Sequence, residues 1–261
     1  MSDTLIADAR TALACLDLTS LNDGDTADTI AALAAQAAGP AGPPAALCVW
    51  PRFVAQAKAA APAGVAVAAV ANFPDGALDS ARAVADTQAI VAAGGDEVDL
   101  VLPWRALAAG DADGPAALVR AVRAACPGRV LKLIIESGEL VSPALVAQAS
   151  QIGLDAGVDF LKTSTGKSPK DAPTGATPEA ARVMLQAIAR HPRGGAVGFK
   201  ASGGVRSVAD AQVYIALVRE ILGPQAGVPQ RLRFGASGLL GDIARVLTGA
   251  GAGNTSAPGS Y

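Results

Sequence analysis

The 261-residue chain has little of the usual catalytic and metal-binding inventory: one histidine, His191, and three cysteines, Cys15, Cys48 and Cys126. Zinc sites and HExxH metalloproteases need clusters of these residues, and no two of the cysteines form a CxxC pair, so no metal is expected. A Ser-His-Asp hydrolase would have to use His191, which stands in Arg190-His191-Pro192-Arg193 at an apparent helix end and reads as a capping or solvated residue. Three widely spaced thiols read as reduced cysteines of a cytoplasmic protein. Charge of one sign is missing too. With 21 basic and 23 acidic groups the net charge is −2, which leaves no surplus for nucleic acid. Unbroken apolar runs are also lacking. The uncharged stretch 29–51 is interrupted by Gly39, Pro40, Gly42, Pro43 and Pro44. A second, 59–74, contains Pro62 and Gly64 and is shorter than the roughly 20 residues a membrane span requires. The start, Met1-Ser2-Asp3-Thr4, leads into acidic residues rather than a basic and then apolar leader, so neither a signal peptide nor a membrane anchor is expected.

What the chain does contain is a regular alternation. Short β-favouring apolar runs at 15–18, 46–49, 65–70, 97–102, 130–135, 160–163, 196–200 and 232–235 are each followed by an alanine-rich helical pattern. Near-continuous apolar strands of this kind belong to parallel sheets. Eight such units in about 250 residues predict an α/β chain folded as a single (β/α)8 TIM barrel with an N-terminal helix. The barrel domain is expected over 1–248, followed by a flexible tail over 249–261. An open doubly wound sheet is the alternative. It would want a GxGxxG turn after the first strand, where this chain has Asp17-Leu18-Thr19-Ser20-Leu21-Asn22. In the helix after the sixth run, Thr177 is placed to cap and Pro178 to open the first turn, with Ala180, Val183, Met184, Ala187 and Ile188 as its apolar stripe.

Function in such a barrel collects at the C-terminal strand ends. There the fourth run carries Asp99, the fifth Lys132 and a terminal Glu136, the sixth Lys162 and the seventh Lys200. Lysine is seldom buried without a partner, and three on consecutive strands exceed what a structural ion pair needs. Two ammonium groups roughly 6 Å apart at an effective dielectric near 20 repel by about 2.8 kcal/mol, so one of them loses its proton more readily. A lysine beside another cation is thereby a nucleophile for a carbonyl. The loops after the seventh and eighth runs, Ser202-Gly203-Gly204-Val205-Arg206-Ser207 and Gly235-Ala236-Ser237-Gly238, expose backbone N–H groups beside helix starts. With Gly166 and Lys167 nearby, they point to a phosphate-ended substrate.

These segments resemble the motifs of deoxyribose-phosphate aldolase. The resemblance runs through Asp17-Leu18-Thr19-Ser20-Leu21-Asn22, Asp96-Glu97-Val98-Asp99, Leu131-Lys132-Leu133-Ile134-Ile135-Glu136, Phe160-Leu161-Lys162-Thr163-Ser164-Thr165-Gly166-Lys167, Gly198-Phe199-Lys200 and Arg233-Phe234-Gly235-Ala236-Ser237, in the same order over nearly the whole chain. It implies a class I lyase without metal or cofactor. Such an enzyme reversibly cleaves 2-deoxy-D-ribose 5-phosphate to acetaldehyde and D-glyceraldehyde 3-phosphate in deoxyribose phosphate catabolism. Carried over by motif, Lys162 is the Schiff-base lysine, Lys200 the lysine that lowers its pKa, and Asp99 the proton donor and acceptor. Thr165, Gly166, Lys167, Gly203, Gly204, Val205, Arg206, Gly235, Ser237 and Gly238 fall where the family holds substrate and phosphate, and Thr19 and Lys132 match positions lining the site. Some members end in a tyrosine that enters the site, which assigns Tyr261 a role in proton transfer.

Departures from the family pattern are Ala201-Ser202 in place of Pro-Ala, Gly238 in place of a serine, and a longer loop over 168–176. A dimer is common in the family, yet no exposed stripe in this sequence marks its interface. Small sugar phosphates and aldehydes are the expected partners. Two other readings compete: another lysine-dependent sugar-phosphate barrel, transaldolase-like or pyridoxal-phosphate-binding, and a catalytically silent sugar-phosphate sensor.

Overall fold

The structure is a computed structural model that describes residues 2–167 and 175–249. Eight parallel strands close into a barrel in chain order: β1 (Leu16–Thr19), β2 (Ala46–Val49), β3 (Ala66–Ala71), β4 (Glu97–Val101), β5 (Val130–Ile134), β6 (Phe160–Lys162), β7 (Gly198–Ser202) and β8 (Leu232–Ala236). β8 pairs with β1 to complete the ring, for example Leu16 with Phe234. All eight predicted runs are strands, displaced by no more than two residues at either end. The closed ring excludes the open doubly wound sheet.

Because side chains alternate across a strand, each run serves two environments. Leu16 and Leu18, Leu47 and Val49, Val98 and Leu100, Leu131 and Leu133, Phe199 and Phe234 face the surrounding helices in one continuous core. The residues between them face the barrel interior. On the β2–β5 side, Cys48, Ala68, Val70, Val101 and Ile134 form a small apolar cluster there with Leu21 and Phe73. On β1 and β4–β8 the intervening positions are Asp17, Glu97, Asp99, Lys132, Lys162, Lys200 and Arg233, all buried.

Asp3–Ala14 is the expected N-terminal helix, capped by Ser2. The helix Pro178–Arg190 starts as its sequence predicts, with Thr177 Oγ1 accepting from the N–H of Ala180 at 3.1 Å. Its buried stripe is Ala181, Met184, Leu185 and Ile188, rotated from the predicted one. Ala180, Val183 and Ala187 are only half-buried, since the helix lies against two neighbouring helices and the strand below. His191 caps the C-terminus of that helix, its Nε2 3.5 Å from Asp155 Oδ1. The last helix, Leu239–Thr248, ends on Gly249 at φ 72°, a left-handed position suited to glycine.

Candidate active site

Register brings the charged residues together. Asp99 is paired across the sheet with Lys132, Lys162 with Lys200, and Lys200 with Arg233, so their side chains project inward at adjacent heights. Asp99 sits at the centre. Its Oδ1 accepts from Lys132 Nζ at 2.6 Å, and its Oδ2 accepts from both Lys162 Nζ at 2.9 Å and Lys200 Nζ at 2.7 Å. Lys200 has a second carboxylate, Asp17 Oδ2 at 2.5 Å. Lys132 is also 2.5 Å from Glu97 Oε2 and 3.5 Å from Asp17 Oδ2.

These contacts separate the three amines. Burial pushes Lys162 down, and the neighbouring Lys200 ammonium adds to this against the single carboxylate of Asp99, so its pKa lies below the ordinary lysine value. Burial presses on Lys200 as well, but Asp17 and Asp99 outweigh it and hold that lysine above the ordinary value. Lys132 is likewise held above the ordinary value, by Asp99, Glu97 and Asp17 against burial. Although burial alone would raise Asp99, the cations Lys132, Lys162 and Lys200 keep it ionised, well below the usual carboxylate range. The geometry thus provides one amine poised to lose its proton, one neighbouring ammonium that keeps its own, and a carboxylate between them.

Above the cluster lies a cavity of about 620 Å³. Lys162 lines it, with Thr19, Thr165 and Gly166 on one side and Gly203, Gly204, Val205, Arg206, Gly235, Ser237 and Gly238 on the other. Gly203 and Gly204 both have φ near +90°, which turns the chain sharply after β7. The two helices that start beside this loop differ. At Val208–Leu222, Ser207 and Asp210 form a capping box and Asp242 accepts from the N–H of Val208, so its first donors are occupied. At Leu239–Thr248 no side chain caps the first turn, and an uncapped helix N-terminus of this kind favours an anion.

A family model described as DeoC/LacD family aldolase matches residues 11–237. The chain is 46% identical over 244 residues to a deoxyribose-phosphate aldolase of Agrobacterium fabrum, with 92% of each chain covered. The chain belongs to the DeoC/LacD aldolase family. Among solved structures, this aldolase superposes on the apo form of a candidate deoxyribose-phosphate aldolase from Toxoplasma gondii with a TM-score of 0.84 at 24% identity, covering 96% of this chain and 100% of that one. The fold is shared as well with a tetrameric deoxyribose phosphate aldolase from Aeropyrum pernix, at a TM-score of 0.69 and 21% identity over 94% of this chain and 98% of the other.

Most of the described residues expected at the site gather at the cavity or in the cluster beneath it, and two, Lys132 and Lys167, are placed otherwise than expected. Lys132 does not line the cavity; it is wholly buried below it, because its three carboxylate partners draw the ammonium into the barrel. Lys167 is likewise not in the cavity wall: its backbone N–H donates to Thr165 Oγ1 at 3.1 Å, and its Nζ lies 3.8 Å from Asp23 Oδ1. Tyr261 and residues 168–174 of the long loop lie outside the described residues.

Sequence reasoning gave no site role to Asp17, Glu97 and Arg233, and noted Glu136 only as the polar end of its run. Arg233 Nη1 donates to Asp17 Oδ1 at 2.6 Å and Nη2 to Glu97 Oε1 at 2.8 Å. Each of these three residues is a charge inside an apolar strand, the same signal that marked Lys132. Glu136 stands at φ 54° after β5 and accepts from the N–H of Thr165 at 3.2 Å on both oxygens, fixing the segment that leads from Lys162 to Gly166. Gly235 is needed for space: a Cβ there would lie 2.7 Å from Ser202 Oγ and 3.0 Å from Lys200 Cε. Among the described residues, no helix is long and apolar enough to cross a membrane.

Proposed function

We propose that this aldolase reversibly cleaves 2-deoxy-D-ribose 5-phosphate to acetaldehyde and D-glyceraldehyde 3-phosphate through a Schiff base on Lys162. The observation that carries the reading is the asymmetry of the amines around Asp99: of the three lysines, only Lys162 borders the cavity and only Lys162 is held below the ordinary lysine value.

In this reading the neutral Lys162 amine adds to the C1 aldehyde of the open-chain sugar and loses water to give an iminium ion. Removal of the C3 hydroxyl proton breaks the C2–C3 bond, releases glyceraldehyde 3-phosphate and leaves the electron pair in an enamine on Lys162. Protonation of the terminal enamine carbon and hydrolysis then free acetaldehyde and the lysine. Asp99, in contact with both Lys162 and Lys200, relays protons between them and the reacting atoms. Lys200 holds the positive charge that favours a neutral Lys162. The phosphate rests on the backbone of Gly203-Gly204 and the uncapped first turn after Gly238, with Ser237, Arg206 and Gly166 at its edge. Thr19 and Thr165 face the sugar. Tyr261 is assigned a part in proton transfer by the sequence resemblance alone.

The same reading includes no metal or cofactor, a homodimer, and a cytoplasmic location consistent with the three free buried thiols. Trapping with borohydride in the presence of acetaldehyde, followed by peptide mapping, tests it. A reduced two-carbon adduct on Lys162 with loss of activity supports the assignment, and activity that collapses in chelator contradicts the metal-free part.

A further inference from the structure

The buried cluster has an arithmetic that the reaction itself does not use. Asp17, Glu97 and Asp99 supply three negative charges, and Lys132, Lys200 and Arg233 supply three positive ones, each of these cations touching at least two carboxylates. Lys162 is a fourth cation with one contact, an oxygen it shares with Lys200. Net charge in a low-dielectric interior is costly, so a seven-member cluster of this composition is balanced when Lys162 is neutral.

We propose that the charge balance of the whole cluster decides which amine lacks a proton, so that Glu97 and Arg233, which border neither the cavity nor Lys162, are positioning residues whose opposite charges act on Lys162 with opposite signs. The proposal rests on the assignment of Lys162 as the Schiff-base lysine. Glu97 takes Lys132 by one oxygen and Arg233 by both, while Arg233 also holds Asp17, the second partner of Lys200. The pair therefore acts on Lys162 through Lys132, Asp99, Asp17 and Lys200. Two other titratable groups face Lys162: Cys48 on β2, whose thiol is pushed up by burial and is neutral, and Glu136 after β5, whose carboxyl burial also pushes up; both are the same in every variant, so differences between variants report Glu97 and Arg233.

Charge removal on the two sides of the pair must move Lys162 in opposite directions. Glu97→Gln takes away a negative charge and makes the ammonium form less favourable. Arg233→Met takes away a positive charge and makes it more favourable. A unit charge on the order of 10 Å away, at an effective dielectric near 20, moves a titration by about one pH unit. The double variant Glu97→Gln/Arg233→Met removes one charge of each sign and restores balance.

The test is cyanoborohydride trapping of acetaldehyde over a pH series, with the adduct located by peptide mapping and folding checked by circular dichroism. The midpoint for adduct formation on Lys162 is expected to fall by about one pH unit in Glu97→Gln, to rise by a similar amount in Arg233→Met, and to return close to the unsubstituted enzyme in the double variant. Shifts of the same sign in both single variants, an unmoved midpoint in Glu97→Gln, or a double variant that keeps the Glu97→Gln shift would overturn the proposal. If Arg233→Met does not fold, because Glu97 and Asp17 then lose a buried partner, the other two variants decide. Lack of any Lys162 adduct in the unsubstituted enzyme is a different result: it rejects the Schiff-base assignment rather than the charge-balance argument.

Discussion

Lys162 and Lys200 donate to the same oxygen, Asp99 Oδ2, at 2.9 and 2.7 Å. One carboxylate oxygen cannot neutralise two ammonium groups. Since only Lys200 has a further carboxylate, in Asp17, the shared contact gives the proton to Lys200 and withholds it from Lys162.

Replacing Lys200 by leucine therefore shifts imine formation to higher pH. The reactive species is the neutral amine, present above the Lys162 pKa, and the adjacent cation extends its range toward neutrality. Without that cation the pKa rises by about one to two units, so at neutral pH the rate of imine formation drops by roughly 10- to 100-fold. The pH profile of acetaldehyde trapping in Lys200→Leu measures this. A profile that stays in place would mean that Lys200 does not act through its charge.

Asp17 is expected to matter for stability as much as for chemistry. Asp17→Asn leaves Lys200 and Arg233 each short of a buried carboxylate, and breaking such a pair costs about 3–5 kcal/mol. For a chain of this size that is a fall of about 10 °C in thermal midpoint, readable by calorimetry. The pH dependence has a definite sign. Burial opposes ionisation of Asp17, but Lys200, Arg233 and Lys132 outweigh it and hold the carboxyl below its ordinary value. Stabilisation from a carboxylate depressed in the folded state is present above about pH 4 and fades as the pH falls below it. The unsubstituted enzyme should lose thermal midpoint on acidification more steeply than Asp17→Asn; parallel curves would argue against the ion pairs as its source.

The turn after β7 gives a substrate-selective prediction. At Gly203, φ is +90° and a Cβ would lie 2.5 Å from Ser164 Oγ, so Gly203→Ala strains the backbone that is to receive phosphate. KM for 2-deoxyribose 5-phosphate should rise by about tenfold, equivalent to a loss of about 1.4 kcal/mol, while kcat changes little. Cleavage of 2-deoxyribose, which has no phosphate, should be less affected. Equal losses on both sugars would place the effect at Lys162 instead.

Much of this arrangement is written in strand periodicity. All eight strands are readable as apolar runs, and the charged residues inside them stand out because a strand buried on both faces tolerates charge only with partners. That signal marked Lys132, Lys162, Lys200 and Asp99. It applied equally to Asp17, Glu97 and Arg233, but which charge meets which depends on register around the ring, and Asp17 and Arg233 lie 216 positions apart. Lys132 shows the same limit: its place inside a strand was legible, but not that Glu97 and Asp99, two residues apart on β4, hold its ammonium beneath the cavity. Glu136 was visible only as the last residue of a run, since its left-handed backbone and its grip on Thr165 arise from the turn.

Tyr261 carries a prediction that stands on the sequence resemblance. Deleting this residue should slow turnover while leaving the borohydride-trapped adduct on Lys162 unchanged, because the proposed role falls after the imine has formed. Single-turnover trapping beside steady-state assays separates the two steps, and undiminished turnover would remove Tyr261 from the mechanism.

The central claim is that Lys162 is the nucleophile, and borohydride reduction in the presence of acetaldehyde addresses it most directly. The account predicts one stable two-carbon adduct, mapped to the peptide containing Lys162, with activity lost in proportion to its formation. An adduct on Lys200 or Lys132, or full activity loss without any adduct, would contradict it.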